Sequence, residues 1–134
     1  MIVIDTNILL YLFIENEHTS KAEIVFKKDE QWAAPILWRS EFRNVLAYYM
    51  RNRILKFDIA IKIMNEAITL VGDNEYDVSS LDVLRLAQAS GCSAYDCEFV
   101  ALARDIDVPL ITSDKKIIKA FPEYAVSLES YAGV

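Results

Sequence analysis

The chain has 134 residues, 54% of them hydrophobic, with only 3 glycines and 3 prolines, which suits one domain spanning residues 1–134 around one core and excludes a disordered or low-complexity chain. A formal net charge of −6 argues against a broadly basic nucleic-acid-binding surface, unless bound divalent ions or a basic partner offset it. Two cysteines, Cys92 and Cys97, are too few for a disulfide scaffold or a zinc site, and the single histidine, His18, excludes any mechanism that needs a histidine pair within this chain.

No stretch is long and apolar enough to span a bilayer, and Met1–Asp5 lacks the basic start of a secretion signal, so no membrane association is expected and cytoplasmic residence is the default. Met1–Asp5 predicts a short buried strand, with Thr6 and Asn7 suited to a turn or cap. Leu9, Leu10, Leu12 and Phe13 suggest a short helix. His18 lies in a polar run and is expected in a solvated loop or helix start. A second helix follows from Thr19 or Ser20 to about Lys28. Gln31–Ala34 predicts a strand closed by Pro35. Longer helices follow over about Leu37–Arg53 and Asp58–Val71, the latter with Asp58 as its cap. Asp77–Ser79 suggests a short third strand, and Ser80–Ser90 a helix stopped by Gly91. A helix over Tyr95–Arg104, a strand over Val108–Thr112, a short helix from Lys115 to about Phe121 and a strand over Ala125–Leu128 complete the chain. Cys92 and Cys97, within or beside one helix, are expected as reduced, partly buried thiols. The alternation of strands and helices implies an α/β fold whose parallel sheet is covered on both faces.

Four acids stand out by position. Asp5 closes the first strand, and Asp114 comes just after the strand ending at Thr112. Ligands of open parallel sheets bind beyond the carboxyl ends of the strands, so both acids would enter one crevice if their strands are neighbours. Each also suits a plain helix N-cap. Glu41 shares a helix face with Leu37, Trp38, Asn44, Val45 and Tyr48, a mostly apolar stripe on which an unpaired carboxylate is costly. Asp96 repeats the pattern beside Phe99, Val100 and Ala103, although Ser93 or Asp96 could simply start that helix. Glu98, a rival acid, reads as solvated. Four converging carboxylates need a counter-charge. Hard divalent cations, Mg²⁺ or Mn²⁺, are its natural source, and they can polarise a phosphodiester and activate water without a serine or cysteine nucleophile.

These residues resemble a known family. Asp5-Thr6-Asn7 after an apolar strand resembles the opening motif of PIN domains. The run from Ser93 to Ala103 resembles the third-acid segment of their VapC-like members, and Pro109–Asp114 their closing strand and fourth acid. Glu41 matches the second acid in position and context, and the likeness extends from Met1 to about Pro122. The resemblance implies an α/β/α sandwich around a parallel sheet and Mg²⁺ or Mn²⁺ held by Asp5, Glu41, Asp96 and Asp114, with Asn7 and Thr112 as polar supports. It implies ribonuclease activity on RNA with single-strand selectivity, a homodimer, and a tight complex with a small antitoxin protein. A PIN-domain nuclease of RNA processing and a non-catalytic RNA-binding or interaction module are the alternatives.

Other residues carry weaker expectations. Arg39 and Arg43 share a helix face and could meet phosphates or a partner's acids, or lie solvated. Lys115 and Lys116 could help hold an RNA backbone, or equally be ordinary exposed lysines. Tyr48, Tyr49 and Met50 could form a dimer or antitoxin surface, with at least one used in the core. A haloacid-dehalogenase-type phosphatase would want a second Asp where Asn7 stands. A receiver domain would want paired acids earlier than Glu15 and Glu17.

Overall fold

In the computed structural model, which describes every residue from Met1 to Val134, Ile2, Val3 and Ile4 are at most 1% exposed. They form β1 (Ile2–Ile4), which has a parallel partner on each side. A strand buried on both faces and paired on both edges is necessarily a continuous apolar run, as this one is. Its partners are β2 (Trp32–Pro35) and β4 (Leu110–Thr112). Outside them lie β3 (Glu75–Tyr76) and β5 (Ala125–Ser127), giving the order β3-β2-β1-β4-β5 with every pairing parallel. The register sets Val3 opposite Ala33 on one side and Leu110 on the other.

The chain first steps from the centre to one edge. It uses α1 (Thr6–Phe13) and α2 (Thr19–Lys28) to reach β2, then α3 (Trp38–Arg51) and α4 (Phe57–Val71) to reach β3. It then returns past the centre through α5 (Ser80–Ser90) and α6 (Ala94–Asp105) to β4, and through α7 (Lys115–Ala120) to β5. Right-handed crossovers running in opposite directions put the two helix sets on opposite faces. The contacts agree: α6 lies across β1, β2 and β4 with α5 packed on it, whereas α1, α4 and α8 (Leu128–Ala132) meet the sheet from the other side. Wholly buried Trp32, Trp38 and Phe42 fill that second layer, with edge-on ring contacts of 5.4 Å between Phe26 and Trp32 and 5.5 Å between Trp38 and Phe42. No helix is long and apolar enough to cross a membrane.

The expected α/β/α sandwich is therefore present, with local corrections. α1 begins at Thr6, immediately after Asp5. β2 includes Pro35, whose missing N–H is tolerated at the strand's last residue. β3 is Glu75–Tyr76, not Asp77–Ser79. Asp58 does not cap α4; Lys56 holds that position without a side-chain bond, and Asp58 lies in the first turn. The last strand ends at Ser127, whose hydroxyl accepts from Ser130 N and starts α8. Gly91 does stop α5, in the left-handed region at φ 72°. Cys92 and Cys97 are free and buried. His18 sits at the start of α2, half-buried, its ring 4.6 Å from that of Tyr11.

The two-residue β3 is anchored from outside the sheet. Arg39 on α3 donates from Nε to Glu75 Oε2 at 2.9 Å and from Nη2 to Oε1 at 2.5 Å, and the Glu75 side chain is only 13% exposed. A forked pair of this kind is stronger than an ordinary surface ion pair, though the arginine's partial exposure weakens it. Arg39→Ala and Glu75→Gln should each lower stability by about 1 kcal/mol in urea titrations, and the double variant should be no worse than either. Fully additive losses would show that the pair does not hold β3.

Candidate active site

The reversal of direction occurs between β1 and β4. At such a switch point the loops on either side diverge and leave a crevice beyond the carboxyl ends of the strands. Asp5 follows β1 and Asp114 follows β4 by two residues. The two strands are neighbours, and Asp5 N donates to Ile111 O at 3.0 Å. Both acids enter the same crevice. Glu41, in the first turn of α3, and Asp96, in the first turn of α6, approach from opposite faces of the sheet. All four line one cleft of about 270 Å³, together with Thr6, Asn7, Asn44 and Val45.

Neighbouring hydroxyls bond to all four of these residues. Thr112, wholly buried at the end of β4, donates to Asp5 Oδ2 at 2.8 Å and accepts from Asp114 N at 3.0 Å. Thr6 donates to Glu41 Oε1 at 2.6 Å. Ser93 caps α6 by accepting from Asp96 N at 3.0 Å, so Asp96 is not itself the cap. Asp114 is a cap: its Oδ1 accepts from Lys116 N at 2.8 Å. Glu41 thereby keeps Oε2 and Asp114 keeps Oδ2 uncommitted, while the Ser93 hydroxyl also supports the Asp96 carboxylate.

The charges are strained. Burial pushes the Asp5 carboxyl up to about 6, with Glu41 and Asp96 adding to the rise and the Thr112 hydroxyl opposing it. Burial likewise raises Glu41, and the charges of Asp96 and Glu98 add to it while Thr6 opposes. Asp96 is raised by burial and by Asp114, with Lys116 acting against them. Four oxygen-donor carboxylates with free lone pairs and no adjacent arginine fit a hard divalent cation.

The other expected residues divide. Asn7 lines the cleft. Lys116 stands near Asp96, with Nζ donating to Gly91 O at 3.1 Å, and Lys115 is exposed beside it. Arg39 is committed to Glu75, and Arg43 donates to Ser40 Oγ at 3.2 Å and borders an apolar cleft between α3 and α4. Neither arginine reaches the acids. Glu98 is half-buried rather than solvated, which raises its carboxyl too. The stripe around Glu41 faces clefts more than core, since Asn44 and Tyr48 are exposed. Thr6 and Asn44 are the site residues that the sequence expectations lacked. Thr6 adjoins the acid motif, and Asn44 is the one polar break in the Glu41 stripe.

Comparison with known proteins agrees with this fold. The family model of the PIN domain matches residues 2–123. The chain is 26% identical over 124 residues to Ribonuclease VapC3 of Pyrobaculum aerophilum, across 90% of this chain and 95% of that protein. Among solved structures, that of PAE2754 from Pyrobaculum aerophilum shares the fold with a TM-score of 0.76 at 20% identity, covering 98% of this chain and 85% of that one. A toxin–antitoxin complex from Klebsiella pneumoniae does so with a TM-score of 0.67 at 19% identity, covering 96% of this chain and 98% of that one. With the family's match running from the first strand past the fourth acid, this chain belongs to the PIN domain family.

Proposed function

We propose that the chain, acting as a single domain, is an Mg²⁺- or Mn²⁺-dependent endoribonuclease and the toxin of a toxin–antitoxin pair. The observation that carries this reading is the convergence of Asp5, Glu41, Asp96 and Asp114 in one cleft at the sheet's switch point. The similarity to Ribonuclease VapC3 and the fold shared with a toxin–antitoxin complex support it. A cation held by the four carboxylates would polarise the phosphodiester and lower the pKa of water. The chain's own groups do the rest. Thr112 and Thr6 hold Asp5 and Glu41 in fixed orientations. Asp114 is held by the first turn of α7. Asn7 offers an amide at the cleft wall. Apolar surface for protein partners, a second copy and an antitoxin, is present at the α3–α4 cleft, where Phe57 is 71% and Ile61 46% exposed beside Met50.

Labelled single-stranded RNA should be cut in Mg²⁺ or Mn²⁺. Asp5→Asn and Asp96→Asn should each lower the rate by at least about 100-fold, a loss of the size seen when groups stabilising developing charge are removed, and EDTA should stop cutting. Cutting that survives both substitutions would rule these acids out. Light scattering should give a dimer in solution; a monomer at micromolar concentration would remove the homodimer from the proposal.

Burial also makes stability depend on pH. The unfolded chain releases the Asp5 proton near 3.8 and the folded chain only near 6. Between those values the folded state keeps a proton that the unfolded state has lost, so stability falls steadily as pH rises from about 3.8 and the loss is complete above about 6. Metal-free protein should therefore be more stable at pH 5 than at pH 7.5, by about 1–1.5 kcal/mol from Asp5, and Glu41, Asp96 and Glu98 act in the same direction. Asp5→Asn should remove most of the difference, and Mn²⁺ at pH 7.5 should restore stability. A melting temperature that rises with pH in the metal-free protein would contradict this account.

A further inference from the structure

The acid cleft continues into a second one. Asn7, Asn44 and Val45 line both, and the second has a volume of about 360 Å³. Two helix stripes wall it. On α1 the stripe is Asn7, Leu10 and Tyr11, at the spacing of one helical face, continued by Ile14 at the helix's C-cap. On α3 it is Asn44, Val45 and Tyr48, following Glu41 along the same side. Both helices begin at the carboxylates, since α1 directly follows Asp5 and Glu41 lies in the first turn of α3. The groove thus leads away from the acids, with Tyr48 seven residues beyond Glu41, roughly 10 Å along the helix.

Its chemistry is unlike that of the acid cleft. The chain has 20 Asp and Glu residues, yet none lines this groove, and Arg51 adds a positive charge to it. A cationic peptide finds no carboxylate here, whereas an anionic strand meets no repulsion. Tyr48 is 54% exposed and stands 5.9 Å from Tyr49, the rings inclined at 53°. Its ring is open to a ligand. Asn7 and Asn44 bring amide donors and acceptors to the walls, whereas the Asn16 amide is bonded to the backbone of Ile14 and His18. An aromatic platform, edge-reading amides and an arginine are what single-stranded nucleic-acid sites combine.

We propose that this groove is a nucleobase subsite. It takes an unpaired base beside the phosphate at the acids, stacks that base on Tyr48 and steadies the strand through Arg51. The proposal rests on the ribonuclease reading and adds to it a base contact that duplex RNA cannot make. Tyr48 and Tyr49 belong to this groove, while Met50 belongs to the apolar cleft between α3 and α4.

The test is binding of labelled single-stranded RNA oligonucleotides, each lacking one base at a different position. Anisotropy would be read in Ca²⁺, with RNA integrity checked on gels and folding of the variants by circular dichroism. One position should stand out, where base removal weakens binding by between about 5-fold and 150-fold, the range expected for loss of a stacked base. Tyr48→Ala should weaken binding of the intact RNA by a similar factor and be indifferent to that missing base. Tyr48→Phe should bind like the wild type. A base penalty that persists undiminished in Tyr48→Ala overturns the proposal, as does wild-type protein that binds no RNA. So does Tyr48→Ala that binds RNA normally but loses the dimer in light scattering, because the groove is then a protein interface. Cleavage by wild type and Asp5→Asn is scored separately. RNA that is cut while Tyr48 proves irrelevant leaves the nuclease and removes the subsite. A Tyr48-dependent base penalty without cutting leaves the subsite and removes the nuclease.

Discussion

One hydroxyl ties the two halves of the crevice together. Thr112 Oγ1 donates to Asp5 and accepts from the backbone of Asp114, joining the carboxyl ends of β1 and β4 across 107 positions of sequence. It is buried, so the bonds it makes are not traded with water. The side chain can do this only because β4 returns to lie beside β1 rather than beside β3, which precedes it in the chain. Strand order, crossover handedness and the placing of the acids are one constraint seen at three scales.

The same constraint makes the crevice electrostatically costly. Asp5 is raised to about 6 chiefly because it is buried, and its acidic neighbours aggravate the cost. Natural sequences carry such a cost where charge is used. A net charge of −6 then ceases to be a simple objection to a polyanionic substrate. The acids are concentrated in one cleft, where a bound cation would offset them, and the adjoining groove between α1 and α3 contains none. Charge distribution matters more than its sum.

Much of this was legible in the sequence because the signals were local. An apolar triplet ending in Asp predicts a buried strand with an acid at its tip, and Glu41 and Asp96 announce themselves as charges among apolar neighbours. The order of the strands decides whether Asp5 and Asp114 meet, and no local pattern encodes it; the family resemblance supplied it. What escaped depends on distant partners or on very short elements. β3 is two residues long and is defined by β2 and by Arg39, so its local pattern pointed two residues too far. Arg39 resembled a free cation because Glu75 lies 36 positions away. α8 has five residues, too few for a periodicity to emerge, although Ser127 and Gly133 bracket it as caps do. Thr6 was legible as a helix-start residue, but its bond to Glu41 spans 35 positions.

Asp114 divides its two oxygens between two tasks. Oδ1 closes the first turn of α7, and Oδ2 is left at the cleft. Asparagine caps helices about as well as aspartate does, so the two residues are interchangeable for the helix and differ only in the charge offered to the crevice. Folded, well-ordered forms of the protein with a weakened acidic cluster therefore lie one substitution away. At Asp5 an amide must instead accommodate Thr112, and at Glu41 it must accommodate Thr6. Position 114 is thus where an evolving lineage could relinquish the chemistry while keeping the scaffold intact.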